Sequence, residues 1–228
     1  MVPGCLVGLF LGGGAKVFPT VVAANQGGDA SVTASKSVTL PSGIQAGDYI
    51  LLCIGAYSDS GVNSNLPSGF TNLQDQARTR THFRVCVKQA VGTESGTTVT
   101  VTGTKNFFIG WSVRIIRGAN AYASTIAVAN TETAPNCPSL TSGYGVDSVL
   151  WLACANQYDA TASQGLPSGY SGLSQGAGSS GGWDWSRVST AWKQVSAATE
   201  DPPAFANAIS GGATGAGWEA VTVAFRPI

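Results

Sequence analysis

The sequence predicts an all-β protein: an antiparallel β-sandwich, jelly-roll-like, with an internal duplication and an extended N-terminal arm. Three observations predict it. Short runs rich in Val, Ile, Thr and aromatic residues are separated throughout by clusters of Gly, Pro, Asn and Ser, the punctuation of a sandwich or barrel. No stretch sustains an apolar period of 3.6 over a dozen residues, which leaves no place for a long helix. The third observation is that one order of features occurs twice. Leu66-Pro67-Ser68-Gly69-Phe70 returns as Leu166-Pro167-Ser168-Gly169-Tyr170, Asp48-Tyr49-Ile50-Leu51-Leu52 as Asp147-Ser148-Val149-Leu150-Trp151, Val87-Lys88-Gln89 as Trp192-Lys193-Gln194, and Trp111 as Trp218. The offsets drift from 99 to 107, so loops of unequal length sit on a shared strand plan. Two copies are fewer than the roughly three that a solenoid needs.

Residues 1–19 read as an arm. Its apolar run, residues 5–11, is broken by Gly8 and is far shorter than the ~20 residues of a bilayer span. No Lys or Arg precedes it, so the cationic start of a secretory signal is missing too. Gly12-Gly13-Gly14 makes a joint and Pro19 closes it. Such a segment has too few contacts of its own to offset an ordering cost of ~1–2 kcal/mol per residue. Cys5, Leu6, Val7, Leu9, Phe10 and Leu11 are therefore expected to contact another chain or a groove on the sandwich. The first repeat, residues 20–118, is expected to place strands near 20–25, 36–40, 48–56, 82–90, 97–102 and 108–117. The second repeat, residues 119–228, places them near 124–130, 137–140, 147–155, 186–195, 204–209 and 218–226. Each half has roughly the 100 residues of an independent domain, and the sequence leaves open whether the halves share one core.

Composition narrows the function. Only 11% of residues are charged, against about 25% in an average domain. The formal net charge is zero, whereas a nucleic-acid partner calls for a basic excess. A weakly charged surface rich in Gly, Ser and Thr suits permanent packing against other protein. The five cysteines (Cys5, Cys53, Cys86, Cys137, Cys154) show no CxxC spacing, and one histidine cannot complete a zinc set with them. Cys53, Cys86 and Cys154 lie in apolar strand-like runs and read as buried thiols, which fits assembly in a reducing cytoplasm. Asp48, Asp59, Asp147 and Asp159 invite a calcium reading, but turn chemistry accounts for acids just before strands. His82 is the sole histidine, and no nucleophile elbow, P-loop or paired-histidine motif accompanies it. The sequence therefore predicts a non-enzyme with no catalytic residue, no metal and no cofactor.

One segment of the second repeat has no counterpart in the first. After Gly176-Ala177-Gly178-Ser179-Ser180-Gly181-Gly182 comes Trp183-Asp184-Trp185, then Arg187. Counting back from the shared Lys-Gln, Val188, Thr190 and Trp192 align with the apolar set Phe83, Val85 and Val87. The odd-numbered Trp183 and Trp185 then point to the other face. They read as an inter-subunit contact, as a stacking platform for a sugar with Asp184 or Arg187 as polar clamp, or as core residues of a bent strand.

The run Val38-Thr39-Leu40-Pro41-Ser42-Gly43-Ile44-Gln45-Ala46-Gly47-Asp48, the apolar strand after it, Leu66-Pro67-Ser68-Gly69-Phe70 and the closing Ile115-Ile116-Arg117-Gly118 together resemble a loose group of bacteriophage and prophage proteins. These are minor tail or fibre-associated virion proteins of similar length, and the resemblance covers residues 20–228. It implies β-sandwich modules without enzymatic activity. On that footing the protein is expected to be a structural protein of a bacteriophage virion: a capsid decoration or head- or tail-fibre accessory subunit, attached through its arm and assembled in the host cytoplasm. Its expected partners are major capsid or tail proteins and further copies of itself, with neither nucleic acid nor membrane. The alternative is a receptor-binding adhesin that grips a host surface glycan through Trp183 and Trp185.

Overall fold

The structure is a computed structural model that describes residues 17–58, 61–129, 134–145, 147–158, 163–180, 183–206 and 217–228. Among these residues every regular element is a strand. The first half supplies β1 (Thr20–Thr39), β2 (Tyr49–Tyr57), β3 (Thr71–Ala77), β4 (Thr81–Gln89) and β5 (Thr98–Arg117). The second supplies β6 (Ala119–Ala129), β7 (Leu140–Thr141), β8 (Ser148–Gln157), β9 (Ser171–Ser180), β10 (Trp183–Ser196), β11 (Thr199–Glu200) and β12 (Trp218–Pro227). The all-β antiparallel sandwich expected from the sequence is what forms.

One sheet has the order β1-β5-β2-β4-β3 and the other β6-β12-β8-β10-β9. With β1, β2, β3, β4 and β5 set against β6, β8, β9, β10 and β12, the two orders are the same. The detail agrees as well. Residues 66–70 lead into β3 and 166–170 into β9, with Phe70 and Tyr170 N–H donating to the carbonyls of Pro67 and Pro167 at 3.1 and 3.0 Å. The second half also has a short β7–β11 pair, Leu140↔Glu200 and Thr141↔Thr199.

Strand boundaries differ from the expected ones for physical reasons. The strands expected at 20–25 and 36–40 are one element, β1, and those at 97–102 and 108–117 are one element, β5. Register slips at Val21/Ala23 and between Asp29 and Ser35 bend this long ribbon, as bulges do. Its far half folds back over the sheet, where Val38, Leu40, Val101 and Phe107 close on Ile50, Leu52 and Ile54. The expected strand at 204–209 is an isolated bridge, Gly165↔Ala206, with 207–209 outside the described residues.

The halves share a core. Leu51, Cys53, Phe83, Val85, Val87 and Ile116 of one sheet pack against Leu150, Leu152, Cys154, Val188, Val221 and Val223 of the other. Tyr49 and Phe225 rings lie 5.7 Å apart at one end, and Tyr57 stacks on Tyr158 at 4.9 Å at the other. Each sheet also has an outer apolar layer: in the first half under the folded ribbon, in the second around Ala153, Ala155, Tyr170, Phe205 and Trp218.

The flanks of this interface are unequal. On one, β9 lies backbone to backbone against β1 and β5. A Cβ on Gly176 would collide with the carbonyl oxygens of Gly27 and Trp111, and one on Gly178 would stand 2.5 Å from that of Ile109. Only glycine permits this approach. On the other flank β3 carries Gln74 and Gln76 at the register positions of Ser174 and Gly176. Arg78 stands where β9 has Gly178, and its guanidinium reaches the Trp218 carbonyl at 3.4 Å and the Glu219 carboxylate at 3.7 Å.

Candidate functional site

The polar chemistry of the chain gathers in three places. The first surrounds the only histidine. His82 and Arg84 are two apart on β4 and so share a face, opposite Phe83 and Val85. β3 brings Asp75 beside them, and the segment after β2 folds Ser64 onto the ring. Ser64 N–H donates to His82 Nδ1 at 2.8 Å, and Ser64 Oγ lies at the same distance. His82 Nε2 bonds to Asp75 Oδ1. Arg84 Nη2 pairs with Asp75 Oδ2 and donates to the Ser64 carbonyl, both at 2.8 Å.

The donors fix the tautomer. A backbone N–H must donate, so Nδ1 carries the lone pair and Nε2 carries the proton given to Asp75. Burial holds the His82 pKa below its ordinary value against the opposing pull of Asp75. The ring is neutral at pH 7. A serine, histidine and aspartate in hydrogen-bonded series resemble a nucleophile, base and orienting acid. Here the ring's lone pair already receives the serine's own backbone N–H, and Ser64 and His82 are each 1% exposed. The arrangement ties residues 61–66 to β3 and β4.

The second half repeats this register with other side chains. Arg187↔Ala177 and Ser189↔Gln175 repeat the register of His82↔Ala77 and Arg84↔Asp75. Gln175 Nε2 donates to the Gln164 carbonyl at 2.8 Å and to Ser189 Oγ at 3.1 Å. Arg187 thus occupies the place of His82, 9% exposed, with its pKa lowered by burial.

The second place is the junction of the halves. Arg114 crosses from β5 to β10, donating through Nε to Thr190 Oγ1 and through Nη2 to the Thr190 carbonyl, both at 2.8 Å, and also to the Gly172 carbonyl. Burial pulls its pKa down to about 10. Ser112 Oγ meets Ser174 Oγ at 3.0 Å and Thr190 Oγ1 at 2.9 Å. At the other end of the interface Glu219, fully buried, accepts from Thr81 Oγ1 at 2.8 Å and Asn156 Nδ2 at 2.9 Å. Burial pushes its carboxyl pKa up despite these donors. The Cys154 thiol, hydrogen-bonded to the Cys53 thiol of the facing sheet, has its pKa pushed up by that hydrogen bond and by burial.

The third place is a cleft of roughly 280 Å³ on the outer side of the first half, between Phe70, Lys88, Glu94 and Thr98. Lys88 Nζ pairs with Glu94 at 2.8 Å. The carboxylate also accepts from the N–H groups of Val91, Gly92 and Thr93 at 3.0–3.1 Å. Burial opposes its charge, but Lys88 and these amides prevail and lower its pKa to about 2. In the second half Tyr170 replaces Phe70 and its hydroxyl donates to Glu200 at 3.3 Å, while Lys193 Nζ pairs with Glu200 at 2.8 Å.

The sequence-predicted residues are distributed otherwise. Cys5, Leu6, Val7, Leu9, Phe10 and Leu11 lie outside the described residues. Trp183, Asp184 and Trp185 open β10, with Trp183 opposite Ser180 and Asp184 opposite Ser179 and a register slip before Ser186. Their side chains lie outside the described residues. The even-numbered face assigned to the core is confirmed for Val188, which lies between the sheets. Asp48 makes the turn expected of it: it accepts from the Gln45 N–H at 2.8 Å and pairs with Arg117 at 2.8 Å, as Asp147 pairs with Arg226 at 3.3 Å. Among the described residues, no group of three or more His, Cys, Asp or Glu is placed to hold a metal ion. Cys53, Cys86, Cys137 and Cys154 are free, buried thiols. The Ser64–His82–Asp75–Arg84 cluster was missed. Its one sequence signal was His82 and Arg84 two apart on the strand face opposite Phe83 and Val85.

Comparison with family models, with curated proteins and with solved structures finds no match to this chain.

Proposed function

We propose that the protein is a non-enzymatic structural subunit of a bacteriophage particle, a capsid decoration or fibre-associated protein held in place through residues 1–19. The observation that carries this reading is where the reactive groups are spent. His82, Glu219 and Arg114, the groups best suited to proton transfer or anion binding, are buried and bonded to protein partners that join strands and halves. Buried, mutually satisfied polar groups rigidify a body and define its packing. The low charge and the resemblance of residues 38–70 and 115–118 to virion proteins point the same way. Duplication of one strand plan in one chain is the natural origin of the repeated sheet order.

The test is its place on the particle. Density for the two-sheet body at fixed, symmetry-related positions in a particle reconstruction is the expected result. Purified particles that lack the protein overturn the reading. Specific binding on a glycan array, lost in a Trp183→Ala, Trp185→Ala variant that still occupies particles, favours the adhesin instead.

A further inference from the structure

The duplication supplies an internal control for the cleft on the first half. Lys88 on β4 and Lys193 on β10 belong to matching strands of the two sheet orders. Each pairs with a buried glutamate at 2.8 Å, Lys88 with Glu94 and Lys193 with Glu200. Each pair lies beside the aromatic ring that closes the repeated pentapeptide, Phe70 or Tyr170. The two places differ by one oxygen atom. Glu200 Oε1 accepts from both Lys193 Nζ and the Tyr170 hydroxyl. Glu94 Oε1 accepts from Lys88, and Phe70 has no hydroxyl to add. There the first half opens a cleft of roughly 280 Å³, lined by Phe70, Lys88 and Glu94. Tyr170 marks the position that a ligand hydroxyl would take in the first half.

We propose that this cleft is a binding site for one saccharide ring, which presents a vicinal diol to the Lys88–Glu94 pair. A carboxylate only accepts hydrogen bonds and an ammonium only donates them. Side by side, they match two neighbouring hydroxyls. One donates to Glu94 Oε1, as Tyr170 does to Glu200, and the next accepts from Lys88 Nζ. The pair is fixed before anything binds. Glu94 is gripped by the N–H groups of Val91, Gly92 and Thr93. Lys88 lies along the 66–70 turn, where a Cβ on Gly69 would stand 3.7 Å from its Nζ. Its side chain is 27% exposed, so the ammonium reaches the cleft. Such preorganisation lowers the ordering cost of binding. An anion would meet Glu94 and a cation Lys88, so the neutral pair selects an uncharged ligand. Leu40, Phe70 and Val99 give apolar wall for ring C–H groups, and Thr98 and Thr100 give hydroxyls for the remaining polar edge. The volume falls just under the ~300 Å³ at which sites for drug-sized ligands begin, which suits one ring. The site uses no residue of the Trp183–Arg187 segment. It goes beyond the structural reading above and is tested in solution without particles, so either can fail alone.

The experiment titrates the isotope-labelled full-length protein with the methyl glycosides of mannose, galactose and glucose, read by amide chemical shifts. Saturable shifts at Gly92, Thr93 and Thr98 with at least one glycoside are the expected result. Tetrahydropyran-2-methanol, which has the ring without a vicinal diol, should produce none. Phe70→Tyr adds to the first half the hydroxyl that the second already carries, and should raise the dissociation constant at least tenfold. Thr100→Phe, at an exposed position of β5, obstructs the cleft without touching the packing of Phe70 and should do the same. Tyr170→Phe should leave the shifts at residues 92–98 unchanged. The proposal is overturned if none of the three glycosides shifts these amides saturably, or if tetrahydropyran-2-methanol shifts them equally. Parent-like binding by both Phe70→Tyr and Thr100→Phe overturns it too.

Discussion

Glu94 is one residue whose contribution depends on acidity in a defined way. Its carboxylate is held by Lys88 and a set of backbone N–H groups, which lower its folded pKa to about 2. A depressed carboxyl contributes stability above its unfolded pKa, near 4.5, and loses it as pH falls toward 2. Urea unfolding should show a loss on the order of 2 kcal/mol across that window, and Glu94→Gln should flatten this part of the profile. A profile that Glu94→Gln leaves unchanged would show that the amides do not favour the charged form. Glu219 works in the opposite sense: its raised pKa makes the folded state favour the proton, so its contribution is lost as pH rises through the folded value. Neither role was legible in the sequence. Glu94 sits in an ordinary polar turn, and the partners of Glu219 come from 138 and 63 residues away. What could be read were the acids whose partner is the chain itself: Asp48 sits just before a strand, and its bond to the Gln45 amide follows from local turn chemistry.

Among elements, sequence pattern identified strands within β1, β2, β4, β5, β6, β8, β10 and β12; the plainest, β2, β4, β8 and β12, sit in the middle of their sheets, where both faces are covered and hydrophobic runs are required. β3 (TNLQDQA) and β9 (SGLSQGAGSS) escaped because their composition is depleted in the residues that favour strands, unlike the other two edges, β1 and β6. For β9 that composition has a purpose, since its glycines let two backbones touch. Gly176→Ala should therefore cost about 1–3 kcal/mol, the usual range for overpacking, read as a lowered melting temperature. Gln76→Ala, at the matching register of β3, should stay within about 0.5 kcal/mol, as surface substitutions do. Equal effects at the two positions would contradict the unequal flanks. The glycine run was visible in the sequence as a loop leading to Trp183. That it continues a strand could not be seen, because glycine alone does not distinguish a flexible connection from a close backbone approach.

For the whole molecule, the question of one core or two has a mixed answer, since each half has an outer apolar layer and the two also share an inner one. Length and repeat offsets carry no information on this, because it depends on which face each bend turns inward. Residues 17–118 expressed alone would expose Leu51, Cys53, Phe83, Val85 and Val87 to water. They are expected to aggregate, and to co-purify as a soluble pair when residues 119–228 are made in the same cell. A monodisperse, cooperatively unfolding first half would show the inner core to be dispensable. The pairing of the sheets follows the logic of a two-fold dimer, in which each partner offers the same patch, but the chain has broken that symmetry with Arg78 on one flank and Gly178 on the other. Two first halves brought together would set Gln76 and Arg78 at both flanks, and two second halves would leave both without a guanidinium for the buried carboxylate of Glu219. Each half thus discriminates against its own kind. Crowded copies at high local concentration, during synthesis or on a shared scaffold, are steered to close on themselves and not to scramble halves with their neighbours.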